Sequence, residues 1–223
     1  MGISERRERE KIERRKVILS CAKELILLQG VERVSMEEIA RKAELSKATV
    51  YLYFSGKDVL FNEICEESAR VFVEHFKPVM ETGLTGLEAL KRFWRTYVTM
   101  FGSSDDMIII FQVHNYLDSN PHDFLLKEQI SSPHVNAILD VMKTLIDQCK
   151  TEGVFDPALN SDMATRLLLS MFSMIVENAT RMPLEARKSP AVVEEMANAF
   201  QIIIRGFARE GIDRSVLNIT SNF

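Results

Sequence analysis

The chain has little of what enzymes, secreted proteins and membrane proteins carry in their sequences. Its 223 residues include three cysteines, Cys21, Cys65 and Cys149. An odd number at wide spacing gives neither a disulfide framework nor a zinc-ligand set, so the three read as reduced, buried small hydrophobes. No run reaches the ~18 uncharged apolar residues of a membrane helix, and the charged amino terminus has no apolar core for a signal peptide. The expected compartment is the cytoplasm, where the sequons at Asn178-Ala179-Thr180 and Asn218-Ile219-Thr220 carry no meaning. A nucleophile–base constellation, a phosphate loop and a metal-ligand cluster are also missing, so neither an enzyme nor a cofactor is expected. His114 and Asp118 have a metal-like i,i+4 spacing, but a lone His/Asp pair does not make a site. With no period-two strand pattern and no repeat, the expected fold is all-α.

What is present is an ordinary globular composition, 46% apolar and 27% charged, with its charge unevenly placed. Residues 1–57 hold 13 Lys/Arg against 9 Asp/Glu, while residues 58–223 hold 15 against 23. A basic front end on an acidic body suits a protein whose amino-terminal part alone meets phosphates. The expected division is 1–58, a helix-turn-helix domain with a basic arm, and 59–223, a larger helical domain.

Residues 4–16 alternate Glu with Arg and Lys, as a solvated, salt-bridged helix extension or a disordered arm does. A phosphate or minor-groove contact from Arg6, Arg7 or Arg9 is the alternative use. From Ile12 to Leu28 the positions Val17, Ile18, Cys21, Ala22, Leu25 and Leu28 recur at helical spacing, and Gly30 stops the helix. Ser35 with Glu38 forms a capping box for the next helix, whose inner face is Ile39, Ala40 and Ala43. After a turn at Glu44–Ser46, capped by Ser46, a short second helix covers Lys47 to Tyr53, and a third begins at Gly56–Lys57. Further helices are expected at 57–75, 85–102, 106–118, 123–152, 161–181 and 190–209, broken at Pro78 with Gly83, Gly102–Asp105, Asn120–Pro121, Gly153–Pro157 and Pro183–Pro190. Pro133 is expected to divide the 123–152 segment.

This is the outline of a DNA reader: a positioning helix, a tight turn, and a second helix whose early residues reach base edges. Those residues are Ser46, Lys47, Ala48 and Thr49. Lys47 can donate to guanine or phosphate, while Ala48 and the Thr49 methyl can pack on a thymine methyl. Tyr51 and Tyr53 are long enough to reach the backbone. Lys57, in the first turn of the third helix, combines an ammonium with free amides and the helix dipole as a phosphate clamp. Phe54 reads as core.

In Gly30-Val31, Ser35-x-x-x-Ile39-Ala40, Ala43-Glu44-Leu45-Ser46-Lys47-Ala48-Thr49-Val50-Tyr51, Tyr53-Phe54 and Gly56-Lys57-Asp58-x-Leu60 the chain resembles the TetR family of bacterial transcriptional regulators. The resemblance is close over residues 12–61; beyond them it extends to length and helical character. It implies a homodimer that binds a palindromic operator and is released by a small molecule held in the carboxy-terminal domain. By position it also implies phosphate contacts from Thr49, Tyr53 and Lys57, with Lys47, Ala48 and Tyr51 facing the major groove. Two residues depart from the family pattern. Glu44 stands where glycine is frequent, at a cost of about 1 kcal/mol if left-handed. Glu37 stands where some relatives place a basic residue, and either accepts from a cytosine or faces solvent.

In the body, Leu87, Leu90, Phe93, Trp94, Tyr97 and Phe101 form an aromatic stripe, followed by Ile108, Phe111, Gln112, His114, Asn115 and Tyr116. Apolar walls with a few polar groups suit an effector pocket as well as a core. The pocket candidates are Trp94, Tyr97, Phe101, Phe111, His114, Asn115 and Glu177, the last either facing a ligand or lying on an exposed flank. With 11 Met and 13 Phe, the expected effector is hydrophobic or amphipathic: a fatty-acyl compound, a drug-like aromatic or a bile-type amphiphile. Leu168, Met171, Phe172 and Ile175, with Met196, Phe200, Ile203 and Phe207, are candidates for a dimeric four-helix interface, or for the chain's own core. The expected function is a ligand-released dimeric repressor on double-stranded operator DNA. The alternative is a DNA-bound scaffold or cell-division factor whose body docks a protein.

Overall fold

The computed structural model describes residues 3–80, 83–117, 133–187 and 189–218. Nine α-helices lie within them: α1 (Ile3–Gln29), α2 (Met36–Lys42), α3 (Lys47–Tyr53), α4 (Lys57–Met80), α5 (Gly86–Ser103), α6 (Asp106–Leu117), α7 (Pro133–Thr151), α8 (Ser161–Thr180) and α9 (Pro190–Phe207). Among the described residues, β pairing is confined to one isolated bridge between Phe155 and Ala208. The fold is all-α.

The chain forms two compact units, Met1–Ser68 with Ile109–Ser119 and Ala69–Ile108 with Asn120–Phe223. Position 58/59 falls in the first turn of α4, which continues through it without a break. All of α6 from Ile109 onward belongs to the amino-terminal unit, an assignment that the sequence pattern did not contain.

In the first unit the charged run is helical, so α1 starts far earlier than Ile12. Its buried face is Ile18, Leu19, Ala22 and Ile26: of the expected stripe Ile18 and Ala22 are fully buried and Leu25 packs on the core, while Val17 and Leu28 at its edges are 46% and 64% exposed. Neighbouring α2, α4 and α6, through Ile39, Leu60, Phe61, Ile64, Ile109 and Val113, set this rotation of the helix. Arg15 then fastens α1. Its guanidinium donates through Nε to Glu63 Oε1 at 2.7 Å, through Nη2 to Glu63 Oε2, and through Nη1 to the Tyr53 carbonyl at 3.0 Å. It also lies 4.3 Å over the Phe54 ring.

The capping box forms as expected. Ser35 Oγ accepts from the Glu38 amide, and the Glu38 carboxylate accepts from the Ser35 hydroxyl at 2.8 Å and from the Ser35 amide at 2.9 Å; the hydroxyl bond foremost holds the Glu38 carboxyl below its ordinary pKa. In the turn, Glu44 adopts φ 55°, the left-handed conformation anticipated for it. That lets the Leu45 amide return to the Ala40 carbonyl at 2.9 Å.

In the second unit α5 opens on its own capping box, Thr85 with Glu88. Gly86 lies against α7 so closely that a Cβ would stand 2.7 Å from the Cys149 amide nitrogen. Its own amide donates to both Glu152 carboxylate oxygens, at 3.0 and 2.8 Å. The core is a ring stack: Trp94 on Phe172 at 3.9 Å, on Phe200 at 4.8 Å and on Tyr97 at 5.3 Å between centroids.

Three expectations change here. Pro78 does not end α4, which runs to Met80; the proline sits in its last turn, so the amide bond it cannot give to the Glu74 carbonyl is missing only at the end of the helix. The expected 123–152 helix begins, within the described residues, at Pro133, and 123–132 lies outside them. Most importantly, Leu168, Phe172, Ile175, Met196, Phe200 and Phe207 are buried in their own unit, at 7% exposure or less. A side chain packed into the intrachain core is not available to a second copy, so these residues are not a dimer interface. Met171 and Ile203 are half-buried.

Candidate nucleic-acid interface

Helix α3 is a single segment of seven residues held by its ends and one face. Ser46 Oγ accepts from the Thr49 amide at 3.1 Å and meets Thr49 Oγ1 at 2.8 Å, which supplies the first turn with a cap. Val50 and Phe54 are fully buried and Leu45 packs beside them, fixing the rotation of the helix. That rotation turns Ser46, Lys47, Ala48, Tyr51 and Leu52 outward. Tyr51 is 44% exposed and Leu52 85%. Thr49 and Tyr53 are half-buried, with Tyr53 packed on the core.

Leu52 was not singled out from the sequence, although its place on the wheel, two residues from buried Val50, puts it on the outer face. A large apolar side chain left so exposed beside Lys47 and Tyr51 fits contact with thymine methyls or sugars.

Glu37 is solvent-exposed, with its carboxylate 3.8 Å from Lys47 Nζ. A long, exposed pair of this kind is worth little, so Lys47 can exchange it for a base or phosphate. Two other cations of the unit, Lys42 and Lys23, are committed. Lys42 binds Glu24 at 2.7 Å, a hydrogen bond that raises its pKa, and Lys23 binds Glu67 at 3.0 Å.

Lys57 does not project freely. Its ammonium lies 4.4 Å over the Tyr116 ring and 5.1 Å over Phe61, and donates to the Glu32 carbonyl at 3.4 Å. Phe61 and Tyr116 meet edge to face at 5.5 Å. Gln112, also on α6, accepts from the Val31 amide at 3.3 Å. Gln112 and Tyr116, grouped with a ligand site on sequence grounds, therefore serve the amino-terminal unit.

The effector candidates are not brought together in one unit. Phe111, His114 and Asn115 lie with the amino-terminal unit, whereas Trp94, Tyr97, Phe101 and Glu177 lie in the second. Trp94 and Phe101 are fully buried and Tyr97 nearly so, in packed core; burial alone pushes the Tyr97 hydroxyl pKa up. Glu177 lies on a flank, paired with Arg181 at 2.7 Å. Asp118, the partner in the metal-like spacing, lies outside the described residues. Burial pushes the Cys65 thiol up to about 11 and Cys149 to about 12, so neither is a thiolate near neutrality. Among the described residues no helix is long and apolar enough to cross a membrane.

This geometry agrees with known proteins. The sequence profile of bacterial regulatory proteins of the tetR family matches residues 18–64, which span α2, α3 and the start of α4. The fatty acid metabolism regulator protein of Bacillus subtilis is 24% identical over 164 residues, covering 73% of this chain and 80% of its own. The nicotine-responsive transcriptional repressor of Paenarthrobacter nicotinovorans is 26% identical over 148 residues, 63% and 72% of the two chains. The solved fatty acid degradation regulator of Bacillus halodurans superposes with a TM-score of 0.68 over 88% of this chain and 97% of its own, at 19% identity. These relatives are regulators, not enzymes. Residues 18–64 thus match the tetR family of bacterial regulatory proteins, and α2–α3 lies within that match as a helix-turn-helix.

Proposed function

We propose that the protein is a homodimeric cytoplasmic repressor that reads a palindromic operator and leaves it on binding an amphiphile with an acyl chain. The observation that carries the DNA-reading part is the rotation of α3: with Val50 and Phe54 fully buried, Lys47, Ala48, Tyr51 and Leu52 have no protein core to face. In this reading Lys47, Ala48 and Tyr51 read bases, Ser46, Thr49 and Tyr53 hold the adjoining backbone, and Lys57 binds a phosphate beside the Tyr116 ring. Replacing Lys47 or Tyr51 by Ala changes the order of preference among operator variants, whereas a uniform loss on all duplexes would remove them from base reading.

Support for dimerisation comes from the faces of α8 and α9 that the core leaves over. Met163, Leu167 and Met174 recur along α8 at 71%, 48% and 55% exposure, and Ile202 on α9 is 72% exposed. A shallow groove on α9, lined by Ala191, Glu194, Glu195, Asn198, Ala199 and Ile202, continues that outer face. Apolar side chains at this spacing want a partner, and a second copy provides one with a matching stripe. The interface thus moves from the inner stripe expected from the sequence to the outer one. Support for an acyl effector is the apolar, Phe- and Met-rich second unit together with two relatives named for fatty acid regulation. Fatty acids and acyl thioesters are expected to weaken operator binding in a mobility-shift titration; release by polar sugars alone would overturn that assignment.

A further inference from the structure

The amino-terminal turns of α1 carry a second surface of the right chemistry. Residues 5–16 hold seven Lys/Arg against four Glu, on helix that is exposed except at half-buried Arg15. Their cations are not equally available. Arg6 is bonded to Glu10 at 3.0 Å, Lys16 to Glu13 at 3.2 Å, Arg15 to Glu63 and Tyr53, and Arg9 is also engaged. Arg7, Lys11 and Arg14 have no hydrogen-bond or ion-pair partner among the described residues.

These three are spaced i, i+4, i+7 and therefore share one face of α1. Four residues beyond Arg14 the same face reaches fully buried Ile18. The face that α1 buries in the core thus continues outward as a basic stripe. Its position is fixed by Arg15, which hydrogen-bonds the carbonyl of Tyr53, the last residue of α3. The stripe starts within one turn of that anchor and runs ~10 Å along the helix, a length that covers about three phosphates of one strand. A merely solvated helix needs no such sorting, in which the helix's own acids neutralise other cations and leave one face charged.

We propose that Arg7, Lys11 and Arg14 form a second, sequence-independent contact with the DNA backbone, flanking the bases read by α3. The contact adds affinity and no specificity, since three point charges on phosphates carry no base information. It rests on the operator-binding reading above.

The test compares two full-length triple variants, Arg7→Gln/Lys11→Gln/Arg14→Gln and Arg6→Gln/Arg9→Gln/Lys16→Gln. Each removes the same charge, and glutamine keeps the helix. Binding is titrated against salt on the selected operator and on a scrambled duplex. The stripe variant weakens both duplexes by the same factor, about tenfold or more, and lowers the salt slope by about two to three. The outer-face variant lowers the slope by less than about one. Equal effects from the two triplets, or an unchanged slope for the stripe variant, would overturn the proposal while the operator reading stands. A wild-type protein that binds neither duplex would overturn both.

Discussion

Glu44 shows most clearly what a single residue contributes here. A φ of 55° costs a residue with a Cβ about 1–2 kcal/mol, yet the turn requires it so that Leu45 can return to Ala40. Glu44→Gly is therefore expected to raise stability by about 0.5–1 kcal/mol, read as a shift of the denaturation midpoint, with operator affinity unchanged. This position was legible in the sequence because turn chemistry is local. So were the Ser35 and Ser46 caps and the buried Val50. Arg15 was not, because its partners Glu63 and Tyr53 are 48 and 38 positions away and no periodicity connects them. At Lys57, removal of the ammonium by Lys57→Ala weakens all duplexes alike and lowers the salt slope by about 0.9, the share of one phosphate. A change confined to one operator sequence would instead make Lys57 a base reader.

At the scale of helices, sequence periodicity located the elements better than their faces. The positions of α2, α3, α5, α6, α8 and α9 were legible because caps and breakers bound them. Whether the stripe of Leu168, Phe172 and Ile175 on α8 serves core or interface was not, because spacing alone does not say what covers it; at the edges of the α1 stripe, Val17 and Leu28, the neighbouring helices decide. Gly86 is a case where the neighbour is everything. A methyl group there meets the backbone of Cys149 at 2.7 Å, and backbone cannot rotate away as a side chain can. Gly86→Ala is expected to cost about 1–3 kcal/mol by overpacking α5 on α7, measurable by calorimetry.

The two capping boxes give the helices a common acid response. Hydrogen bonds from Ser35 and Thr85 hold the Glu38 and Glu88 carboxyls below the ordinary 4.5. Because the folded pKa values are depressed, this contribution is fully present above 4.5 and is lost as pH falls through the lowered values. Helicity at the starts of α2 and α5 should decline there, and Glu38→Gln with Glu88→Gln should flatten that part of the pH profile.

For the whole molecule, the two units differ in how openly the sequence presents them. The amino-terminal unit makes its function from short-range pieces, a cap, a turn, a seven-residue helix, so residues 35–57 could be read in order. The second unit makes a core from rings far apart in the chain, Trp94, Phe172 and Phe200, and the same apolar stripes serve equally as core, cavity wall or interface until packing assigns them. With the inner stripe assigned to the core, the proposed dimer would use the outer faces of α8 and α9. Leu167→Glu with Met174→Glu should then give a monomer by analytical ultracentrifugation, still helical, that binds a half-site weakly and the full operator no better.

The central claim is that α3 reads DNA in a symmetric pair. Selection of bound duplexes from a random pool by the full-length protein tests it most directly. The account predicts enrichment of a palindrome whose half-sites lie about one helical turn apart, ~34–36 Å. An asymmetric single site, or a pool that remains random after repeated rounds, would contradict it.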